Sequence, residues 1–368
     1  MRLLLITNLY DEDNHSAVEG VFNNALRQQV DIDIVKFSRT HSKPFERGHI
    51  VVLPYSTRKR GFEKAFCKLR SLSQYDIVIV RNLFEVLSQL QQVRGRTFKL
   101  GFWESFPHSF RRYFEAHFTG QSKLRKTLEY AWKKRTEQAQ VSKCDFYLPI
   151  TAAFKTQFRD SIQVPTHPLP MGINPQEIPD QAEHTARDFK RFTYIGTIDK
   201  LRQLDLILEA FRRVSEPYQL DIYTESKNKA VTQLQAIHDD RIKFHGPLPR
   251  LQLFREIINT DVAIGLIPNN ELYHSSSPTK VLEYYSLGIP SLLSDLPEHL
   301  DLFDESSAIF SEFNVASIQA AIEKSIKMPF ESLRSMGARG KEVVLTKRSY
   351  PIMAESLLEF LTLQLSQE

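Results

Sequence analysis

The sequence predicts an α/β protein with two doubly wound, Rossmann-like domains, each a parallel sheet covered by helices on both faces. Three observations predict this fold class. The chain has 368 residues, which is about the length of two ordinary domains. Short apolar runs alternate with longer helical patterns in both halves, as in repeated βα units. Residues 164–180 contain five prolines, which prevent regular structure and favour a stiff linker between the halves.

We expect the first domain to cover residues 1–168. Its predicted strands are the short apolar runs at residues 3–6, 32–37, 50–54, 77–80, 99–103 and 145–150. Helical patterns follow at residues 20–30, 84–92 and 123–142. The run at residues 3–6 is too short for the core of a signal peptide, and no run approaches the roughly 18 apolar residues of a transmembrane helix. These features predict a cytoplasmic protein.

A linker is predicted at residues 169–188 and a second domain at residues 189–345. The predicted strands of this domain lie at residues 192–196, 219–223, 242–246, 262–267, 291–294 and 308–310. Its predicted helices lie at residues 204–214, 251–260, 279–287 and 315–326. Ligands of open α/β sheets bind beyond the carboxyl ends of the strands, so two such domains are expected to face each other across a ligand-binding cleft.

The charge of the chain is unevenly distributed. Overall, 48 Lys and Arg residues stand against 44 Asp and Glu residues, for a net charge of +4. Residues 1–170 carry a net charge of +11 and residues 171–368 a net charge of −7. This asymmetry favours an anionic partner such as membrane lipid, nucleic acid or a phosphorylated substrate, the alternative being an accidental surface bias. The two cysteines, Cys67 and Cys144, exclude a disulfide framework and indicate a reducing compartment.

A phosphate-binding loop is predicted after the strand at residues 192–196. This strand ends in Gly196, and Thr197 and Arg202 follow before the next helix. Backbone N–H groups and the helix dipole attract an anion at such a position, and an arginine can bind it through two parallel hydrogen bonds. Because many βα loops look similar, a solvated Arg202 is the alternative.

A second anion site is predicted at a helix start. Ser277 is expected to cap this helix, with Pro278 in its first turn. The N–H groups of Thr279 and Lys280 would then point, unpaired, out of the helix. Glu283 lies one turn further on the same face, where its carboxylate could accept two hydrogen bonds from a ribose diol. The alternative is that Ser277 only caps the helix and Glu283 only pairs with Lys280.

These stretches resemble the retaining glycosyltransferases of family 4, which have the GT-B fold of two Rossmann-like domains and use nucleotide-sugar donors. Tyr194-Ile195-Gly196 with Arg202 is similar to the strand, glycine and basic diphosphate contact of the family. Glu283 matches the second glutamate of the family's Glu-x7-Glu motif. The form Ser277-Pro278-Thr279-Lys280 resembles a subset found in polysaccharide biosynthesis. The resemblance also implies that residues 346–368 form a helix that crosses back to the first domain.

The resemblance implies a donor-binding set and a catalytic role for Arg202 at the departing diphosphate. Thr197 stands where the family usually has arginine, and Ser275 stands where it has the first glutamate. The implied donor-binding residues are Gly20, Gly196, Thr197, Arg202, Thr224, Pro247, Ser275, Ser276, Ser277, Thr279, Lys280 and Glu283.

The first domain is implied to bind the acceptor. Glu104 follows the strand at residues 99–103 and is the predicted catalytic carboxylate, acting as general base or stabilising an oxocarbenium-like charge. His108 is the second candidate for this role, and Trp103 and His108 are the predicted acceptor contacts. The alternatives are a surface glutamate and a tryptophan at the edge of the core.

A basic, aromatic segment predicts membrane contact. Residues 107–143 contain nine Lys and Arg residues against three Glu, with aromatic residues interspersed. Such a segment is typical of an interfacial helix on an anionic membrane, here the inner face of the plasma membrane. Nucleic-acid binding is the competing use, but no recognised nucleic-acid module accompanies the segment. A solvated helix face is the third interpretation.

Together these features predict a retaining hexosyltransferase that moves a sugar from a UDP- or GDP-linked donor to a saccharide or lipid-linked saccharide. The subset that it resembles implies a role in cell-surface polysaccharide or lipopolysaccharide assembly. No metal or other cofactor and no nucleic-acid partner are expected. The alternatives are a nucleotide-sugar epimerase or hydrolase of the same fold, and a degenerate protein that binds sugar nucleotides without catalysis.

Overall fold

The computed structural model describes residues 1–118, 120, 123–179, 187–236 and 238–366. The chain forms two compact units. Unit 1 consists of Met1–Gly172 and Tyr350–Glu368, and unit 2 consists of Ile173–Ser349. The two ends of unit 2 are paired with each other, because the N–H of Ile173 donates to the carbonyl oxygen of Arg348 at 2.9 Å.

Unit 1 contains, among its described residues, a seven-stranded sheet in the order β3-β4-β2-β1-β5-β6-β7. Every neighbouring pair is parallel except β3 with β4. The apolar run of β1 is fully buried and pairs on both sides, with Leu3 opposite Ile32 and Ile77, as expected for a strand in the middle of a parallel sheet. The strands are β1 (Arg2–Tyr10), β2 (Asp31–Ser38), β3 (Phe45–Arg47), β4 (Ile50–Pro54), β5 (Ile77–Arg81), β6 (Lys99–Glu104) and β7 (Phe146–Pro149).

Helices cover the sheet of unit 1, and the C-terminal helix of the chain belongs to this unit. The side chain of Thr151 caps one of them by accepting a hydrogen bond from the N–H of Phe154. The helices are α1 (Phe62–Phe66), α2 (Phe84–Leu90), α3 (His108–Phe118), α4 (Lys123–Val141), α5 (Ala152–Phe158) and, at the end of the chain, α13 (Tyr350–Ser366).

The order of the strands marks the position in unit 1 at which open α/β sheets bind ligands. Strand β1 has β2 on one side and β5 on the other, so the chain changes direction across the sheet between β1 and β5. In open α/β sheets, the crevice beyond the carboxyl ends of the strands at such a point is where ligands bind. Asn8 and Asn82 lie at this point, near the end of β1 and directly after β5.

Unit 2 contains, in the part that is described, a six-stranded parallel sheet in the order β10-β9-β8-β11-β12-β13. Its strands are β8 (Lys190–Ile195), β9 (Tyr218–Tyr223), β10 (Ile242–His245), β11 (Val262–Ile264), β12 (Ser291–Ser294) and β13 (Ala308–Ser311). Its helices are α6 (Leu204–Arg213), α7 (Lys229–Gln235), α8 (Arg250–Ile257), α9 (Thr279–Ser286), α10 (Pro297–Leu302), α11 (Val315–Lys327) and α12 (Phe330–Lys347).

Several local predictions need correction. The segment predicted as an α-helix at residues 20–30 is a π-helix, Val18–Ala25, followed by a 3₁₀ turn, Leu26–Gln28. The edge strand β3 was not predicted, because it is short and polar and does not give an apolar run. Of the predicted linker, residues 180–186 lie outside the described residues, and residues 175–177 form a short 3₁₀ turn.

Candidate functional sites

Gly196 turns the chain out of strand β8 into the loop before α6. Its φ of +143° lies in the left-handed region that favours glycine. The next residue, Thr197, is exposed, and its carbonyl oxygen accepts a hydrogen bond from the Tyr194 hydroxyl at 3.1 Å. The N–H of Arg202 donates to the carboxylate of Asp199 at 2.9 Å. The backbone of Ile198, in the middle of the loop, donates to the Ser226 hydroxyl and accepts from the Asn228 amide. The loop is therefore held both by its own residues and by the segment that follows β9.

Arg202 and Lys280 form a pair of cations without a carboxylate partner among the described residues. The guanidinium of Arg202 lies 5.6 Å from the ring centre of Tyr273, and its Nε is buried without a hydrogen-bond partner. Lys280 is 9% exposed. Its Nζ lies 4.1 Å from the ring centre of Tyr194 and 3.5 Å from the carbonyl oxygen of Leu266. Burial, and secondly the charge of Arg202, hold the pKa of Lys280 well below its usual value.

This pair has the electrostatics of an anion site. Removing an ammonium from water costs several kcal/mol unless an opposite charge compensates it. The described residues supply no such charge to Lys280, whereas a bound phosphate would. Lys280 is also the second residue of α9, so its position adds the free N–H groups and the positive end of a helix dipole.

The predicted cap of α9 is wrong in detail. The capping residue is Pro278, with an extended ψ of 112° and no side-chain cap, so Ser277 lies one residue too early to cap the helix. The Ser277 hydroxyl instead donates to the carboxylate of Glu298 at 2.9 Å. The Ser276 hydroxyl donates to the carbonyl oxygen of Tyr273 at 2.7 Å. A third predicted residue, Ser275, is buried with 2% exposure.

Glu283 pairs with Arg250 and not with Lys280. The Oε1 atom of Glu283 lies 3.1 Å from Nη1 of Arg250, and Nε of the same arginine lies 3.0 Å from the carboxylate of Glu177. Burial raises the pKa of Glu283, while Arg250 opposes this effect. One arginine thus serves two carboxylates, and the ribose contact predicted for Glu283 stays a prediction.

A pocket of about 580 Å³ runs along β9 and β10, from Gln219 and Lys243 near their amino ends to Pro247 beyond their carboxyl ends. The rings of Tyr223 and His245 also line it and stack with their centres 4.5 Å apart. Nε2 of His245 lies 2.8 Å from the buried carboxylate of Asp221. Thr224, the other residue predicted near the base, is buried, and its hydroxyl accepts from the N–H of Ser226 at 3.1 Å.

Gly20 has a packing role in a helical segment and does not lie in the flexible loop expected for it, while the donor contact predicted for it stays a prediction. It lies in the π-helix and is buried. A Cβ atom at this position would lie 1.9 Å from the ring of Tyr350, the first residue of α13. The missing side chain therefore admits an aromatic ring from the far end of the chain. Sequence spacing alone gave no signal of this contact.

Glu104 and Trp103 are buried, which corrects the roles predicted for them. The carboxylate of Glu104 accepts hydrogen bonds from Nε and Nη2 of Arg159 at 2.9 and 2.6 Å, and from the Tyr147 hydroxyl at 2.8 Å. Burial alone would lower the pKa of Arg159, but Glu104, and after it Glu137, raise it. Trp103 has no exposed surface and packs against Phe22, so it is a core residue.

Unit 1 contains a cavity of about 1040 Å³ at the carboxyl ends of its strands. Asn8 and Asn82 line it, as does His108 at the start of α3. His108 is exposed to the cavity. Partial burial of the imidazole lowers the pKa of His108, and the positive charges of neighbouring arginines lower it further. The prediction singled out His108 but missed both asparagines, although their positions at the ends of predicted strands were a usable signal.

Helix α4 carries an exposed apolar stripe. Leu124, Leu128 and Trp132 follow one another at four-residue spacing and are 76%, 64% and 67% exposed. Arg125 and Arg135 lie beside this stripe and are also exposed. Within the described part of the chain, no helix combines the length and hydropathy needed to cross a bilayer.

The described residues contain no group of three or more His, Cys, Asp or Glu side chains that could hold a metal ion. In unit 2, Arg202 and Lys280 lie beside the N-terminus of α9, and this combination of cations and helix N–H groups suits a phosphate ligand.

Comparisons with known proteins identify the fold. No family model matches the chain, and no curated protein sequence matches it. Sucrose-phosphate synthase from Thermosynechococcus elongatus matches with a TM-score of 0.75 and 13% identity over 100% of both chains. A trehalose-6-phosphate synthase matches with a TM-score of 0.72 and 14% identity over 99% of both chains. An apo lipopolysaccharide outer core galactosyltransferase matches with a TM-score of 0.67 and 13% identity over 99% of this chain and 100% of that chain. These matches confirm the predicted α/β fold of the GT-B type, with two Rossmann-like domains.

Proposed function

We propose that the protein is a glycosyltransferase that uses a nucleotide-diphosphate sugar as donor. The observation that carries this proposal is the buried ammonium of Lys280 beside Arg202, without a carboxylate partner among the described residues. A diphosphate has the charge to neutralise both side chains. The first-turn N–H groups of α9 would bind its oxygens, and the helix dipole would favour it.

The rest of the nucleotide would extend from this site within unit 2. Gly196 and Thr197 lie at the end of β8, where a backbone without a bulky side chain permits close approach of the phosphates. Glu283 would bind the ribose with the carboxylate oxygen that Arg250 does not hold. The base would lie toward Thr224 and Pro247, at the ends of β9 and β10.

The chemistry proposed is transfer with retention of the anomeric configuration. The bond between the sugar and the diphosphate breaks, the acceptor hydroxyl oxygen bonds to the sugar carbon, and its proton is released. Arg202 and Lys280 would stabilise the negative charge that develops on the leaving diphosphate. Support comes from the fold, since the trehalose-6-phosphate synthase neighbour transfers sugars with retention.

Unit 1 is proposed to bind the acceptor, a saccharide or lipid-linked saccharide. A role in lipopolysaccharide or cell-surface polysaccharide assembly is supported by the motif resemblance and by the galactosyltransferase neighbour. Glu104 is assigned a structural role, because Arg159 and Tyr147 already occupy its oxygens. A base that deprotonates an acceptor needs a free lone pair within hydrogen-bond reach.

A thermal-shift screen tests the donor proposal. UDP, GDP and ADP are compared with the matching monophosphates, which lack the second phosphate. A ligand present at 100 times its Kd stabilises the folded state by about 2.7 kcal/mol. For a domain of the length of unit 2, this raises the Tm by roughly 5–10 °C. We expect one diphosphate to do so and its monophosphate to act more weakly. No shift with any diphosphate would contradict the proposal.

Turnover then separates transfer from the rival activities. The matching nucleotide sugar is incubated with and without saccharide acceptors, and release of the nucleoside diphosphate is measured. Acceptor-dependent release supports transfer, and release without acceptor indicates a hydrolase. Tight binding without turnover would indicate a non-catalytic protein. Thr197 and Ser275, in place of the family's arginine and glutamate, are the residues that favour this last alternative.

We also propose that α4 lies on an anionic membrane surface. The stripe Leu124, Leu128 and Trp132 is exposed, and each basic residue near an anionic bilayer adds roughly 1 kcal/mol of attraction. Sedimentation with phosphatidylglycerol vesicles is expected to fall strongly in Leu128→Ser/Trp132→Ser. Leu300→Ser, which changes a leucine of unit 2 that is 56% exposed, is the matched control. The proposal would be refuted if all variants sedimented equally with the anionic vesicles. It would also be refuted if the wild-type protein sedimented equally with neutral and anionic vesicles.

A further inference from the structure

The unit 1 cavity carries positive charge that the described residues leave unpaired. Its wall contains six basic side chains, of which Arg111 and Lys133 pair with Glu115 and Glu129. The remaining four form no ion pair with a described residue and are Arg58, Lys59, Arg60 and Arg112. Of the four acids in the wall, Glu104 and Glu137 are held by Arg159 and Glu115 by Arg111, which leaves Glu85.

A buried arginine lies directly behind this wall. Arg81 is 4% exposed, and its hydrogen-bond acceptors among the described residues are all neutral, namely Asn8, His15 and Ser105. Burial lowers the pKa of Arg81 to about 10, so it is charged at neutral pH. Burial, and secondly Arg81, lower the pKa of His15 to about 3, so this histidine is neutral and accepts the hydrogen bond.

The hydrogen bonds of Arg81 fix which atoms of Asn8 and Ser105 are left to donate. Asn8 accepts from Arg81 through Oδ1, which leaves its Nδ2 amide group to face the cavity that it lines. Ser105 accepts from both Arg81 and Asn82, so its own proton is available to donate. His108 stands at the start of the eleven-residue helix α3, close enough to feel the charges of Arg81, Arg112, Arg111 and Arg58.

We infer that the acceptor bound in this cavity carries a phosphate group, held by Arg58 and Arg112 with the amide of Asn8. This inference rests on the proposed function, since it names the class of acceptor. The guanidinium of Arg81 is buried without a carboxylate among the described residues, and the cavity wall in front of it holds four cations that form no ion pair there. A buried charge is costly unless an opposite charge compensates it, so this region favours binding of an anion. Phosphate suits the many N–H donors, because arginine binds its oxygens through two parallel hydrogen bonds. A sugar phosphate and a lipid-linked saccharide diphosphate share this chemistry.

Calorimetry on the full chain without donor tests the inference. The probes are glucose 6-phosphate, glucose and farnesyl diphosphate, which stands in for a lipid-linked diphosphate. We expect one phosphorylated probe to bind at least roughly ten times more tightly than glucose, which corresponds to about 1.4 kcal/mol. The probe that binds identifies the source of the phosphate. Equal affinity for glucose and both phosphorylated probes, or no binding of any probe, would overturn the inference.

Charge-neutral variants locate the site. Arg58→Gln and Arg112→Gln change side chains that form no ion pair within the described part of the chain, and each is expected to weaken phosphate binding roughly tenfold. Arg94→Gln, which removes an exposed charge outside the cavity, is expected to leave it unchanged. Wild-type affinity in the double variant would overturn the inference.

Nucleoside diphosphate affinity, measured in the same variants, is expected to stay at the wild-type value. If wild type binds no nucleotide, the proposed function fails. If nucleotide binds and the phosphate probes do not, only the acceptor inference fails.

Discussion

Replacing Lys280 by Met is expected to stabilise the ligand-free protein and, at the same time, to weaken nucleotide binding. Met keeps the unbranched length of the lysine stem and removes only its charge. The ammonium of Lys280 lies over Tyr194 at 4.1 Å and has one long contact, 3.5 Å, to the carbonyl oxygen of Leu266. The variant therefore removes a poorly compensated charge from the free protein and a needed charge from the complex.

The two effects can be estimated separately. Desolvation of a buried ammonium costs several kcal/mol, and the contact with Tyr194 returns about 2 kcal/mol at most. The variant should gain about 1–2 kcal/mol in free energy of unfolding, which raises Tm by roughly 2–8 °C. In the complex, the lost charge-assisted hydrogen bond is worth about 1.5–3 kcal/mol, which weakens nucleotide affinity roughly 10- to 150-fold.

Thermal unfolding without ligand and calorimetric titration with the best nucleoside diphosphate measure the two effects. Lys324→Met is the matched control, because Lys324 is exposed on α11 and forms no ion pair with a described residue. It should change neither quantity. If Lys280 were a structural residue, Lys280→Met would lower Tm and would leave affinity unchanged in the protein that remains folded. That result would refute the assignment of the anion site.

Three further predictions follow from the same contacts. Because the pKa of Lys280 is lowered in the folded protein, the unfolded state binds more protons between that lowered pKa and pH 10.5. Over this window the stability deficit of wild type relative to Lys280→Met should shrink toward zero as pH rises to 10.5. A deficit that stays constant in pH-dependent unfolding would contradict this. Gly20→Ala should lower the free energy of unfolding by roughly 1–3 kcal/mol, because the added Cβ would overlap the Tyr350 ring. Wild-type stability of this variant in a denaturant titration would show that the packing is misassigned. Glu104→Gln should lower the free energy of unfolding by about 3–5 kcal/mol, because it removes the carboxylate closest to the buried Arg159. If Glu104 were instead a catalytic residue, the variant would keep the wild-type Tm and lose turnover.

The two sheets could be predicted because parallel strands are buried on both faces. Such strands appear as continuous apolar runs, as in β1, where Leu3 and Ile6 have no exposed surface. The short edge strand β3 gave no such run. Residues of the proposed anion site could also be selected from the sequence, because Gly196, Arg202 and Lys280 lie at strand and helix ends where phosphate binding has a local sequence pattern. Their binding of an anion stays a prediction.

The errors concern residues whose role depends on a distant partner. Glu104 follows a strand, as a catalytic residue often does, but its environment is set by Arg159, 55 residues away. Gly20 resembles a loop glycine, and its neighbour Tyr350 comes from the other end of the chain. Arg81 was missed because its distinguishing feature is the absence of a carboxylate partner among the described residues, and spacing along a sequence does not report such contacts.

A crystal structure of the protein with the nucleoside diphosphate selected by thermal shift tests the central claim most directly. The account predicts phosphate oxygens within about 3 Å of the Lys280 ammonium and the Arg202 guanidinium, with the first-turn N–H groups of α9 pointing at the same phosphate and the ribose against Glu283. A nucleotide bound elsewhere, with no anion at Lys280, would contradict it.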